Sequence, residues 1–246
     1  RYAKKETRSD ETSQTVPTTP SQTAFLKDLE QELNELGFQE VYLNPKNSFL
    51  TATAAAFFGI LISCVMAYLL QRTNVKGKRI PDFLITLGSG TPSVTIALAL
   101  IISMSGKFGI NIYNTLTIMV IAYMIKYMLM GMRTVVSAMS QVHPSLEEAA
   151  QISGANWLRM LKDVTLPLIG ASIVAGIFLI FMPSFYELTM STLLYSSNTK
   201  TIGYELYIYQ TYHSQQVASA LATAILLFVI LVNYILNKLT KGQFSI

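Results

Sequence analysis

Charged side chains are absent from five long stretches of the chain, 49–70, 83–106, 108–125, 164–186 and 206–237. Roughly 20 apolar residues at about 1.5 Å per residue cross a hydrocarbon core of about 30 Å. Each stretch therefore predicts a membrane-spanning helix, and the fold class is all-α, a polytopic membrane protein with about five transmembrane helices. The chain before residue 48 reads differently. Residues 6–23 are rich in Thr, Ser and Pro without apolar periodicity, as in a flexible tether. Ala24 to Gly37 then sets Phe25, Leu26, Leu29, Leu33 and Leu36 at helical spacing, predicting a short amphipathic helix stopped by Gly37. The organisation is thus a flexible segment over 1–47, a membrane domain over 48–237 and a tail over 238–246.

Two of the spans carry helix-weakening residues. In the second, Gly88, Gly90 and Pro92 fall close together, and Pro92 cannot donate its backbone hydrogen bond, so a break or bend is expected there. Irregular backbone at membrane depth survives only where protein or a wet cavity surrounds it. Ser89, Thr91 and Pro92 are therefore candidates for a pathway lining or gate, with close helix packing by small residues as the alternative. In the fourth span Pro183 precedes Glu187 and predicts a break, leaving the Glu187 carboxylate to face a pathway, hold a partner or finish a helix.

Composition narrows the class. Residues of the AVILMFWYC set make up 51% of the chain and charged ones only 13%, which makes a cytosolic enzyme or a secreted disulfide scaffold a poor reading. The one cysteine, Cys64, lies inside the first run and reads as a small buried side chain. The formal charge of +4 reports orientation in a membrane protein, and nothing points to nucleic acid. Cations cluster in the loop after the first run (Arg72, Lys76, Lys78, Arg79), in the loop after the third (Arg133, Arg159, Lys162) and in the tail (Lys238, Lys241). Lys107 and Lys200 mark the alternate loops. The former group is then cytoplasmic and residues 1–47 are extracytoplasmic. Arg1, Lys4, Lys5 and Arg8 fit that placement badly; either a span upstream of Arg1 carries them across or the parity is reversed. A start at Arg1 rather than Met, with no signal-like apolar run, fits a processed protein, a recombinant segment or a piece of a longer polypeptide.

The loop between the third and fourth spans, 143–167, is longer than a turn requires. Ser145 with Glu148 predicts a capping box opening a helix through Ile152, Gly154 ends it, and Asn156 caps a second helix through Trp157, Leu158 and Leu161, with Pro167 at the start of the next span. Leu146, Ile152, Trp157 and Met160 would stand beside charges outside the bilayer, where a partner groove buries them.

Glu148, Ala149 and Ala150, then Gly154 three residues on, then Val164, Leu166 and Pro167 resemble the EAA loop of permease subunits in binding-protein-dependent ABC importers, with Val164 in place of Ile. The resemblance covers about residues 47–237, including Asn47, Ser48, Phe49 and the stretch 122–133. It implies the type I importer permease fold, with residues 184–207 most similar to the ferric-iron branch and thiamine, phosphonate and polyamine permeases similar there. It implies that Glu148, Ala149, Ala150, Gly154, Leu166 and Pro167 belong to a coupling loop docked in cytoplasmic ABC ATPase subunits. It also implies an extracytoplasmic solute-binding protein and a second permease half as partners, in the lipid bilayer of a bacterial cytoplasmic membrane. No cofactor or resident metal is expected, and the chain holds no GxxxxGK[ST] loop, so hydrolysis falls to the ATPase.

Several residues have competing readings. Lys126 is read first as snorkelling to headgroups and next as a contact within the bundle. His143 and His213 have no companion at metal-ligand spacing. Tyr204, Tyr207, Tyr209 and Tyr212 read as an aromatic belt ahead of ferric ligands. The rivals to an importer permease are a membrane-embedded enzyme, a channel or carrier without an ATPase, and a scaffold.

Overall fold

The computed structural model describes residues 45–106, 109, 111–212 and 215–239, which are helical apart from turns and an isolated bridge between Ser105 and Asn111. The amphipathic helix expected over 24–37, the tail beyond Leu239, Lys107 and His213 lie outside the described residues.

The first helix, α1 (Lys46–Arg72), shows how a membrane sequence is sorted. Its buried face is built from small side chains, among them Ala52, Ala55, Ala56, Gly59, Ser63 and Ala67. Phe49, Phe57, Phe58, Leu61 and Val65 point outward. Lipid tails are as apolar as any core, so large side chains gain nothing by turning inward, and small ones let backbones approach. The second span is two helices, α2 (Arg79–Gly90) and α3 (Ser93–Met104), bent by 112° at the break between them. After a turn in which Asn114 takes a positive φ of 63°, α4 runs from Leu116 to Gln141. This corrects the sequence reading, which placed the third span over 108–125 and Arg133 in the following loop. Lys126 and Arg133 are both inside α4 because each finds protein partners there.

Two short helices, α5 (Pro144–Ile152) and α6 (Trp157–Met160), follow. A π-helical turn (Leu161–Thr165) joins α6 to α7 (Leu166–Phe185). Pro167 therefore does not separate a loop helix from a span: Trp157–Phe185 is one apolar helix with a wide turn just ahead of the proline, where the missing N–H would otherwise interrupt the ladder. Pro183 likewise sits inside α7, and the chain leaves the helix only after Phe185. The fifth run divides into α9 (Ile202–Tyr212) and α10 (Gln215–Leu239), after the short α8 (Thr189–Leu194).

The most extensive helix contacts are among α1, α4 and α7. Gly131 of α4 and Gly176 of α7 meet there; a Cβ on Gly131 would lie 2.7 Å from Ile180 Cδ1, and one on Gly176 2.6 Å from Ile60 Cδ1. The loops sort to two ends. At one, Asn47 donates to the carbonyls of Asn198 (3.2 Å) and Lys200 (2.9 Å), Ser48 Oγ accepts from Ile202 N–H at 2.7 Å, and Ser196 Oγ donates to Asn114 O at 3.2 Å. At the other, Arg72 reaches Met139 and Val142, and Lys78 Nζ donates to Leu70 O and Thr73 O at 2.7 and 2.6 Å, satisfying carbonyls at the end of α1. The bent pair begins at the Lys78 end, and α3 packs on α8 at the opposite end. Despite its bend it crosses the molecule as one broken span.

Gly176→Leu should cost about 1–3 kcal/mol by overpacking, seen as a lower Tm in detergent micelles. Gly170→Leu, where an added Cβ meets nothing within 4 Å, should leave Tm close to wild type.

Candidate functional site: a clamped helical hairpin and a broken span

The hairpin of α5 and α6 starts two residues earlier than its sequence suggests. His143, not Ser145, is the N-cap: its Nδ1 accepts from Ser145 N–H at 3.2 Å, and Pro144 occupies the first turn, where its missing N–H costs nothing. Ser145 and Glu148 thus form no capping box across the helix start. Gly154 ends α5 with φ +89°, a conformation glycine adopts without a Cβ penalty. Asn156 caps α6 as expected, accepting from Arg159 N–H at 2.9 Å.

What fastens the hairpin is a residue the sequence reading passed over. Glu147, next to the motif glutamate, is buried, 3.0 Å from Arg72 Nε and 3.0 Å from Thr165 Oγ1. Arg72 Nη2 also donates to Met139 O (3.2 Å) and Val142 O (2.7 Å). One guanidinium thereby joins the end of α1, the end of α4 and the base of α5, and Thr165 adds the π turn leading into α7. The signal was present in the arrangement of an acidic residue one position before the exposed Glu148, but its partner lies 75 residues away. A second fastening holds α6. Trp157 Nε1 donates to Tyr68 OH at 2.8 Å with the rings edge to face, and Met160 is fully buried. Of the apolar side chains expected to await a partner, Met160 is consumed within the chain, Trp157 is tied to Tyr68 and Leu146 is half exposed, whereas Ile152 stands 88% exposed, beside Leu158, not among those expected, at 67%. Glu148, Ala149 and Gly154 are exposed and Ala150 half-buried, so the motif residues share an open surface with these two. Leu166 and Pro167 are exposed at the start of α7.

In the broken span, Thr91 and Pro92 are extended, with ψ 137° and 139°. Thr91 N–H and Oγ1 both turn back to Leu87 O, at 3.0 and 2.8 Å. Gly88 is the packing residue: a Cβ there would stand 3.0 Å from Ile125 Cγ2 and 3.1 Å from Ile125 O. The next residue of α4 explains how the break persists. Lys126 Nζ donates to Ser89 O at 3.0 Å and Thr91 O at 2.7 Å, supplying a cation to carbonyls at a helix C-terminus. Its snorkelling reading is therefore corrected: the ammonium is held inside the bundle. One and two turns further along, Arg133 meets Asp82 Oδ1 and Thr86 Oγ1, each at 3.1 Å. Ser89, Thr91 and Pro92 thus come together with Lys126, and Glu187 is elsewhere.

Glu187 is buried at the opposite end, accepting from Tyr127 OH and, at 3.1 Å, from Met190 N–H. Its carbonyl accepts from Ser191 Oγ at 2.5 Å and lies against Gly203, where any Cβ would collide with it. The carboxylate finishes the junction between α7 and α8. Nearby, Tyr195 and Tyr204 stack with centroids 4.0 Å apart, and burial together with a hydrogen bond to Tyr195 pushes the Tyr204 phenol up to about 12. Tyr204 is thus neutral at neutral pH. Among the described residues no group of three or more His, Cys, Asp or Glu could hold a metal ion.

Comparison with known proteins agrees with this geometry. A family model described as the binding-protein-dependent transport system inner membrane component matches residues 59–242. The chain is 25% identical over 201 residues to the Fe(3+)-transport system permease protein FbpB 2 of Haemophilus influenzae, covering 82% of this chain and 40% of that protein. It is 28% identical over 209 residues to the trehalose/maltose transport system permease protein MalG of Thermococcus litoralis, covering 80% and 73%. A separate likeness of 57% over 56 residues, 23% of the chain, is to Peptidase T of Limosilactobacillus fermentum, of which it spans 14%. The chain thus spans less than half the length of both the peptidase and the Haemophilus permease. Among solved structures, an ABC transporter importing the acidic polysaccharide alginate aligns with TM-score 0.66 at 16% identity, over 92% of this chain and 94% of that one. The fold is that of type I ABC importer permeases.

Arg72→Met should destabilise the chain by about 3–5 kcal/mol because it strands a buried carboxylate. Replacing both Arg72 and Glu147 by Met should cost less than the single change. Denaturant titration of the purified variants in micelles checks the order; a double variant weaker than the single one would remove the clamp.

Proposed function

The chain belongs to the family of binding-protein-dependent transport system inner membrane components, and on that footing we propose that it is the transmembrane permease of an ATP-driven importer. The observation that carries this reading is the hairpin. Outside the spans, Ile152 and Leu158 stand exposed on short helices that Glu147, Arg72, Trp157 and Tyr68 hold rigidly to the bundle. An exposed apolar surface of this kind fits a groove on a partner. The end that carries it is also the one with Arg72, Lys76, Lys78, Arg79, Arg159 and Lys162, a charge pattern that supports a cytoplasmic side for it in this reading. Glu148, Ala149, Ala150 and Gly154 then form the docking face for an ABC ATPase subunit, and closure of the ATPases moves α5 and α6 together with the ends of α1, α4 and α7.

A solute-binding protein on the other side and a second permease half complete the assembly in this reading. Ferric iron, suggested by residues 184–207, is the cargo in the name of the Haemophilus relative, and sugars are in that of the Thermococcus one. The likeness does not choose between them. The match to Peptidase T spans 14% of that protein and carries no argument about activity. A channel without an ATPase would have no use for a clamped cytoplasmic hairpin.

Glu148→Lys and Gly154→Arg should each insert in the membrane normally yet lose co-purification of a nucleotide-binding subunit and ATP-dependent uptake, by at least about tenfold for a disrupted interface centre. Retention of both with either variant would count against the docking face. Uptake that persists without ATP would favour the channel.

A further inference from the structure

A cleft of about 860 Å³ opens between α4 and α7 near the basic end, lined among others by Arg133, Thr134, Ser137, Gln141 and Ser172, with Leu168 at its edge. Its size is that of a small-molecule site. Its chemistry is unlike a lipid-facing groove: hydroxyls, an amide and a guanidinium on membrane helices belong against water or protein. The lining contains no carboxylate. Lys126, Arg133, Ser137 and Gln141 recur at intervals of seven, four and four residues, which sets them on one stripe of α4. That stripe holds two cations. Asp82 faces Arg133, using Nη2, and leaves the half-exposed remainder of the guanidinium toward the cleft. Lys126 Nζ is held by the carbonyl oxygens of Ser89 and Thr91. Of the buried acids, Glu187 is tied to Tyr127 and Met190, and Glu147 to Arg72 and Thr165.

Resting on the permease reading above, we propose that this stripe and cleft form a solute-binding vestibule that takes small anions, with Arg133 as the charged contact and Thr134, Ser137, Gln141 and Ser172 as hydrogen-bonding partners. A net positive field in a low-dielectric cleft concentrates anions and opposes cations. The passing solute is then an oxyanion or an acidic organic molecule. A metal ion would travel this way as an anionic chelate and not as a bare cation, and a polyamine is disfavoured.

Thiol labelling tests the field without knowledge of the cargo. Ser137→Cys and Ser172→Cys are placed singly in the full chain with Cys64→Ala, in nonionic detergent. Each is reacted with anionic sulfonatoethyl methanethiosulfonate or cationic trimethylammonioethyl methanethiosulfonate, and the rate ratio is normalised to free 2-mercaptoethanol. The anionic reagent should be favoured at least about tenfold. Adding Arg133→Gln or Lys126→Met should each reduce that preference, and Ile152→Cys, outside the cleft, should show little. A ratio at or below that of the free thiol, or failure of both reagents to react, would overturn the proposal. Since no ATPase takes part, such a failure leaves the co-purification result of the hairpin variants standing, and the two readings fall separately.

Discussion

One guanidinium sets the mechanical layout of this protein. Arg72 is the last residue of α1, and around it converge the buried Glu147 carboxylate and the carbonyls of Met139 and Val142. Helix ends carry carbonyls without intrahelical partners, and at the edge of a membrane these must be met by water or by donors the chain supplies. Arg72 meets those of α4 and, with Thr165, fixes the otherwise costly Glu147. Removing it would leave Glu147 without its cation and α5 without its tie to the ends of α1 and α4. With it, the hairpin and the ends of α1, α4 and α7 form one unit, so a push on the exposed surface of Ile152 and Leu158 is delivered to helices that cross the membrane.

The same constraint explains the broken span. A bend of 112° between α2 and α3 frees backbone groups at a depth where solvent cannot satisfy them. Gly88 lets α2 approach α4 closely enough for Lys126 to take the carbonyls of Ser89 and Thr91. At the opposite end Glu187 plays the complementary part, a carboxylate receiving an amide at the start of α8. Lys126 and Glu187 are thus placed where the backbone departs from regular helix.

The two ends of the molecule differ in consequence. Asn47, Ser48 and Ser196 lace the loops of one end to α1 and to the turn before α4, and Tyr195 stacks on Tyr204. At the basic end the hairpin is clamped from below while the polar cleft between α4 and α7 remains open beside it. The hairpin is therefore fastened to the same two helices, α4 and α7, that wall the polar cleft.

Long apolar runs, the break at Pro92, Gly154 as a stop and Asn156 as a cap were legible in the amino-acid sequence, because each acts through neighbours a few positions away or through the thickness of the bilayer. The family followed from the spacing of Glu148, Gly154, Leu166 and Pro167. Tertiary structure alone decided that α4 extends through Lys126 and Arg133, that His143 replaces Ser145 as the cap, and that Pro167 and Pro183 are carried inside one helix. It also decided that Glu147 is buried and Glu148 exposed. The placements of Lys126, Arg133 and Glu147 depend on partners dozens of residues distant, Ser89, Asp82 and Arg72, and an ionisable group in a membrane chain is placed by the partner that offsets its desolvation, which local pattern does not encode.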